Sequence, residues 1–433
     1  MLILKTYQDL IEIIERDGGP DGFLLPAVDD YRSGAQYRTC LEAMEYWKNR
    51  NPTIEKYRKL LYTVTGSAVP DNYSADYKLA SNVYFRFVTQ TVQYLLGKGV
   101  RFSNPETAKR LGEDFDFKLQ TALTCAINGG AAYGLMNYDR LEVFGADEFV
   151  PIYDEETGAL RAGIRFWQLS EEKPLRLTLY TEDGYTEYIS RGGELTVMFP
   201  KRPYKQKVGV IKGLEPIISD GENYPCFPIV PLYSPRGQSS IVGFRRQIDC
   251  HDLIESGYAN DIDDASLIYW TISNAGGMDD IDLAKFIRHM RTVRAAVVDD
   301  DGAKAEAHTV DMPYQSREAI LDRLESDMYR DFMVLNTSII SSGNSTATAI
   351  KAAYEPMNLY SNMLEANVRR FIRELMKVIG ISDEFKFLRS SIVNDLEKAR
   401  TIQTKITTVL MLRELFGDER VKEMAENILA QES

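Results

Sequence analysis

The sequence is poor in cysteine and histidine and carries no excess of positive charge. Its four cysteines, Cys40, Cys125, Cys226 and Cys250, are far apart and form no C-x-x-C pair. That excludes a disulfide framework and a zinc ribbon, so they read as buried free thiols of a reducing compartment. The three histidines, His251, His289 and His308, each read as an ordinary helix or strand residue, and H-E-x-x-H is absent. Neither G-x-x-x-x-G-K-[ST] nor G-x-G-x-x-G occurs, so no phosphate cradle is visible. No nucleophile stands in a G-x-S-x-G turn. No uncharged apolar run approaches the ~20 residues that span a bilayer, and the start of the chain lacks a basic region followed by an apolar core. A product of the cytosol with no membrane partner is therefore expected. Lys and Arg number 51 against 64 Asp and Glu, for a net charge of −13. Such a chain lacks the footprint of a tight duplex binder, because phosphate affinity comes mainly from Lys and Arg. It can still surround DNA without gripping it.

What is present is enough apolar and aromatic sequence for a large core, with 44% hydrophobic residues, 25 Tyr and 18 Phe. Helices are predicted over 4–16 and 36–61, the second broken at Asn51-Pro52 because the residue before proline avoids the α region. A helix over 78–97 follows from Leu79, Val83, Phe87, Val88, Val92, Leu95 and Leu96 at helical spacing, and another over 108–128. From Ala131 to about Ile211 the period drops to two, with turns at 154–158, 183–184 and 192–193, which predicts an antiparallel meander. Beyond Pro235 the chain reads as helix 239–260, a compact insert over 261–312, helix 316–333, a polar stretch over 336–346, and a long helix over 347–379 kinked at Pro356. The insert is expected to hold a helix near 281–290 and a hairpin of 292–298 with 303–310. The tail, 394–431, reads as two helices divided at Gly417-Asp418.

The weak motifs point away from an enzyme. Asp299-Asp300-Asp301-Gly302 resembles the start of a calcium loop, but Val310 occupies the position of the required Glu, so a solvated turn is the better reading. Asp261, Asp263 and Asp264, with Asp279, Asp280 and Asp282, read as hydrophilic surface flanking a small module. No metal or cofactor is implied.

The informative feature is the order of parts. Two helices that flank an insert are natural neighbours, with the insert at their far end. The polar stretch at the other end is rich in residues suited to loops and polar contacts. Six segments in this order resemble the portal proteins of tailed phages, the family typified by a siphophage of Bacillus. They are Asn82 to Lys98; Gly129 to Tyr133 with Pro151 to Tyr153; Pro228 to Val230; Ile248-Asp249 with Ser256 and Asn260-Asp261; Leu324 to Tyr329; and Gly343 to Ala347 with Ala349 to Lys351 and Tyr354. Ala347 departs from the family's usual glycine.

The resemblance implies an α+β portal fold. It comprises a wing of helices and antiparallel strands (1–236), stem helices (237–260 and 313–333) and a small α/β clip (261–312). A tunnel loop (334–346), a kinked helix completing the wing (347–389) and a short helical crown (390–433) complete it. It implies a non-enzymatic subunit of a ring of about twelve copies at one capsid vertex, through which double-stranded DNA enters and leaves. The implied partners are terminase, scaffolding and major capsid proteins, and head-completion or adaptor proteins. The implied locations are the virion and, during assembly, the host cytoplasm. The residues facing DNA would be Asn336, Thr337, Ser338, Ser341, Ser342, Gly343, Asn344, Ser345 and Thr346, with Lys351 as a sparse basic ring. Along the second stem helix, Asp322, Glu325 and Asp327 would pair with Arg317, Arg323 and Arg330 of neighbouring subunits. Two other classes compete: a metal-dependent enzyme acting on a polymer through the acidic 261–282 segment, and a monomeric adaptor or scaffold.

Overall fold

The computed structural model describes residues 5–62, 66–71, 75–209, 217–265, 269–273, 304–308, 314–336, 347–389, 395–411, 420 and 424–425. The mixed α and antiparallel β reading holds. Helix α1 (Tyr7–Asp17) opens on a capping box: Thr6 Oγ1 accepts from Asp9 N–H, and Asp9 Oδ2 accepts from Thr6 N–H. Such reciprocal bonds satisfy donors that the first helical turn leaves free. Helix α2 (Asp21–Ser33) was not foreseen, since Pro26 lies inside it. It forms because Phe23, Leu24, Ala27, Val28 and Tyr31 are all buried on one face. Helices α3 (Ala35–Trp47) and α4 (Pro52–Lys56) divide where Asn51 caps Thr53 and Ile54, with Pro52 in the first turn, so the predicted break holds. The remainder of 36–61 is not helical: Leu60–Tyr62 is strand β1, paired with β2 (Ala68–Pro70).

Helix α5 (Val83–Leu96) is shorter than its periodicity suggested. Residues 78–82 stay outside the helix, and backbone there is held from α8: Tyr77 N–H bonds Asn260 Oδ1 and Leu79 N–H bonds Ser256 Oγ. The helix expected over 108–128 is two, α6 (Pro105–Leu111) and α7 (Phe115–Gly129). Gly112 separates them at φ 104°, a conformation that favours glycine.

The meander resolves into two sheets. Strands β6 (Phe149–Tyr153), β7 (Leu160–Trp167), β8 (Leu175–Thr181), β9 (Gly184–Arg191) and β10 (Glu194–Arg202) form one antiparallel sheet in chain order. Helices α1 and α2 cover one face, burying Ile152, Ile164, Phe166 and Leu177 in a core of its own. Strands β4 (Ala131–Asn137) and β5 (Arg140–Gly145) leave the meander. With β13 (Ile229–Tyr233) they make a second sheet, β4 at its centre. The ribbon β11 (Lys205–Gly209) with β12 (Ile217–Glu222) lies between these strands in sequence.

The larger core gathers α5, α7 and the β13–β4–β5 sheet around α10 (Ala347–Val378). Leu364, Val368, Phe371, Ile372 and Leu375 recur three and four apart, one stripe of a helix, and all are buried. Pro356 stands inside this helix, as expected. At its C-terminal half, Glu365 accepts bonds from Arg369 Nη2 and Arg389 Nη2, each at 2.8 Å. Arg369 also donates to the carbonyl of Phe385 at 3.2 Å, on strand β16 (Phe385–Phe387), which pairs with β3 (Val100–Phe102). Burial alone would raise the pKa of Glu365, but hydrogen bonds from Arg389 and Arg369, with their charges, outweigh it and hold the carboxyl below its usual range. Because the folded value is depressed, the stabilisation is complete above the ordinary glutamate range and disappears as pH falls through the folded value. Glu365→Gln should therefore lower stability by about 1–2 kcal/mol at neutral pH, and the difference from wild type should close in acid. Urea unfolding of both proteins across that pH range checks it.

Candidate stem helices and the segments beside them

The expected helix pair exists as α8 (Ile241–Ala265) and α9 (Tyr314–Asp331). Contacts along their length show that they run antiparallel. Near the start of α8, Phe244 meets Phe332, just past the end of α9, edge to face at 3.8 Å between ring centroids. One turn on, Gln247 Nε2 donates to Asp331 Oδ2 at 2.6 Å. At the opposite end, Arg317 pairs with Asp261 at 2.5 Å. Phe87 of α5 packs on both Phe244 and Phe332, so the near end of the pair is fixed to the larger core.

Polar residues fasten α8 along its length. Asp249 accepts from Tyr46 Oη at 2.5 Å and Thr53 Oγ1 at 3.1 Å, and Arg245 bridges to Glu42 at 2.9 Å. Ser256 and Asn260 hold the backbone at Leu79 and Tyr77. Asp249, Ser256 and Asn260 are among the residues that carry the sequence resemblance, and each fastens the helix to residues 46–79. Tyr329 does likewise for α9, accepting from Arg86 Nη1 at 3.1 Å.

The insert leaves and returns at the far end of the pair, between 265 and 314. Strand β14 (Tyr269–Ser273) pairs antiparallel with β15 (Lys304–His308), Tyr269 opposite His308. The pairing of 304–308 with 269–273 spans the insert and was not suggested by the sequence. The expected helix at 281–290, segment 292–298 and the Asp299 turn lie outside the described residues, as do Gly417-Asp418 of the tail.

At the near end the chain is anchored on both sides of the polar stretch. Leu335 is buried, and its carbonyl accepts from Gln90 Nε2 at 3.2 Å. After the stretch, Tyr354 stacks on Tyr94 at 5.9 Å, and Leu335, Tyr94, Tyr354 and Met357 form one small core. Asn336 sits half-buried just past Leu335. Thr337, Ser338, Ser341, Ser342, Gly343, Asn344, Ser345 and Thr346 lie outside the described residues; Lys351 lies in α10, where only its backbone is described.

The charged residues of α9 find partners within the same chain. Asp327 pairs with Arg330 at 3.0 Å and Arg323 at 3.9 Å, Glu325 with Arg86 at 3.8 Å, and Arg317 with Asp261. Asp322 is exposed. Exposed pairs of this kind contribute about 0–1 kcal/mol each, so Arg323 and Arg330, whose side chains are 83% and 72% exposed, are not committed by them.

A cluster not foreseen from sequence lies on α8. His251 Nδ1 is 3.2 Å from Asp252 Oδ1 and 3.7 Å from Glu255 Oε2. Asp252 is fully buried, and its other oxygen accepts from Asn51 Nδ2 at 2.8 Å. The hydrogen bond to Asp252, with the charges of Glu255 and Glu325, raises the pKa of His251 against the opposing effect of burial. The spacing of His251 and Glu255, four apart on a helix, was a signal available in the sequence; the approach of Asn51 was not. Among the described residues, no helix is long and apolar enough to cross a membrane.

The family model described as "Phage portal protein, SPP1 Gp6-like" matches residues 28–433. The portal protein of Clostridium phage phiCD119 is 24% identical over 417 residues, covering 88% of this chain and 89% of the relative. The portal protein of Bacillus phage SPP1 is 22% identical over 408 residues, covering 86% and 78%. A chain in the virion of a native gene transfer agent particle superposes with a TM-score of 0.46 at 14% identity, over 77% of this chain and 89% of that one. With nearly its whole length matched, the chain belongs to the phage portal protein family and is a portal protein.

Proposed function

We propose that the chain assembles into a closed ring of about twelve copies, by a head-to-tail interface that repeats from subunit to subunit. The ring forms the DNA channel of one capsid vertex. In this reading α8 and α9 wall the channel. The 266–313 insert is the clip that meets terminase during packaging and head-completion or adaptor proteins afterwards. Residues 336–346 form the tunnel loop facing duplex DNA, with Lys351 just beyond it. The tail is the crown inside the capsid, where scaffolding and major capsid proteins surround the ring.

The observation that carries this reading is the antiparallel helix pair, with the insert at one end and an anchored polar segment at the other. Two further features support it. Val242, Leu253 and Ile262 of α8 and Ile320 of α9 are exposed large hydrophobics on helices that a ring would pack against their neighbours. Arg323 and Arg330 also remain exposed enough to meet carboxylates of an adjacent subunit. A net charge of −13, repeated around a ring, suits a passage in which DNA slides rather than sticks.

Negative-stain microscopy of the purified chain should show closed rings with a central hole. Globules without a hole in every solution condition would rule the channel out. The competing enzymatic reading through 261–282 gains no support from the family relationship, and the side chains of Asp263, Asp264, Asp279, Asp280 and Asp282 lie outside the described residues.

A further inference from the structure

We propose that His251, Asp252 and Glu255 form a binding site for a borderline first-row divalent cation, Zn²⁺, on the first stem helix. Three features carry it. The first is spacing. A zinc ion holds N and O ligands at about 2.0–2.2 Å, which places ligand atoms roughly 3.3–3.5 Å apart around a tetrahedron. The observed separations from His251 Nδ1 are 3.2 Å and 3.7 Å, and the three ligand atoms all lie within 4.8 Å of one another. Small rotations of the Glu255 side chain, 41% exposed, complete the fit.

The second is orientation. Ligating carboxylates are usually aimed by hydrogen bonds from outside the site. Asp252 is fully buried, and Asn51 Nδ2 holds one oxygen while the other faces His251. Asn51 is itself buried and fixed, its Oδ1 accepting from Thr53 N–H and Ile54 N–H. The carboxylate therefore comes to the site already aimed.

The third is an open side. His251 and Glu255 border a cleft of about 460 Å³ between α8, the start of α5 and α9, large enough for a water or another ligand on the cation. Glu325 of α9 borders the same cleft, which adds a carboxylate from the opposite helix. Lys78 in this cleft pairs with Asp76 at 3.3 Å, while Arg86 pairs with Glu325 at 3.8 Å inside it, so Glu325 is shared with a cation and the three ligands are those of α8. One imidazole with two carboxylates suits Zn²⁺ better than Mg²⁺ or Ca²⁺, which take oxygen alone. On binding, Zn²⁺ replaces the proton on His251 Nδ1, and that proton goes to solvent.

The test is calorimetric titration of chelator-stripped, full-length protein with Zn²⁺ near neutral pH. One ion per chain is expected, and Glu255→Gln and His251→Gln, which remove ligands, should each weaken binding at least as much as loss of an outer-shell partner does, about 10–100-fold. Co²⁺ bound to the wild-type protein should give visible bands of a nitrogen- and oxygen-ligated site that Zn²⁺ abolishes, a readout that needs no variant. Glu255 is partly exposed, so its amide form should retain the wild-type circular dichroism. No Zn²⁺ uptake by the wild type, or equal uptake by Glu255→Gln, overturns the site and leaves the ring proposal untouched.

Discussion

Phe371→Ala should destabilise the subunit by about 3–5 kcal/mol, the largest stability effect expected of any single truncation named above. Phe371 is almost wholly buried in the stripe by which α10 closes the larger core. Its ring lies directly over the backbone of β4: a Cβ added at Gly134 would fall 2.5 Å from Phe371 Cζ. Truncation removes transfer energy and opens a cavity against the central strand of a three-stranded sheet, which cannot collapse freely. The same geometry predicts coupling. Gly134→Ala should be strongly destabilising in the wild type, where ring and methyl compete for one space. In the Phe371→Ala background it should cost much less. The double-mutant loss should therefore be smaller than the sum of the two single losses, as contacting sites require. Additive losses in urea denaturation would show that ring and strand do not share that space. Lys377→Ala, on the exposed face of the same helix, should change stability by no more than about 0.5 kcal/mol.

Deleting Ser338–Asn344 should leave rings intact and abolish most DNA packaging. The anchors on either side are independent of the deleted residues. Leu335 is held by Gln90, and Tyr354 by its stack on Tyr94. Because those anchoring contacts lie outside the deletion, subunit fold and ring assembly should survive. If residues 336–346 contact the moving duplex, their loss removes the contact that packaging needs. Nuclease-protected DNA per assembled head measures the effect, with ring integrity followed by microscopy. Normal packaging by the deletion would remove 336–346 from the DNA path while leaving the helix pair in place.

Both tests depend on features with different origins. Periodicity placed α5, α7, α8, α9 and α10, and alternation with turn residues placed β6 to β10, because each rests on local patterns of buried side chains. The order helix, insert, helix, polar segment, long helix was legible for the same reason. The antiparallel contact of the pair followed from chain connectivity alone.

Only the tertiary structure decided the rest. Helix α2 forms around Pro26 because five side chains find burial against a sheet formed far along the chain. Residues 78–82 stay out of α5 because α8 supplies hydrogen bonds to Tyr77 and Leu79 across some 180 positions. The split of the meander into two sheets depended on β13, whose pairing with β4 no local pattern announces. The cluster on α8 was half visible, His251 and Glu255 by spacing, but its buried carboxylate is aimed by Asn51, two hundred residues earlier. Local sequence fixes which way each element turns its apolar face. Which distant polar group meets it depends on how the faces are brought together, and no window along the chain contains that information.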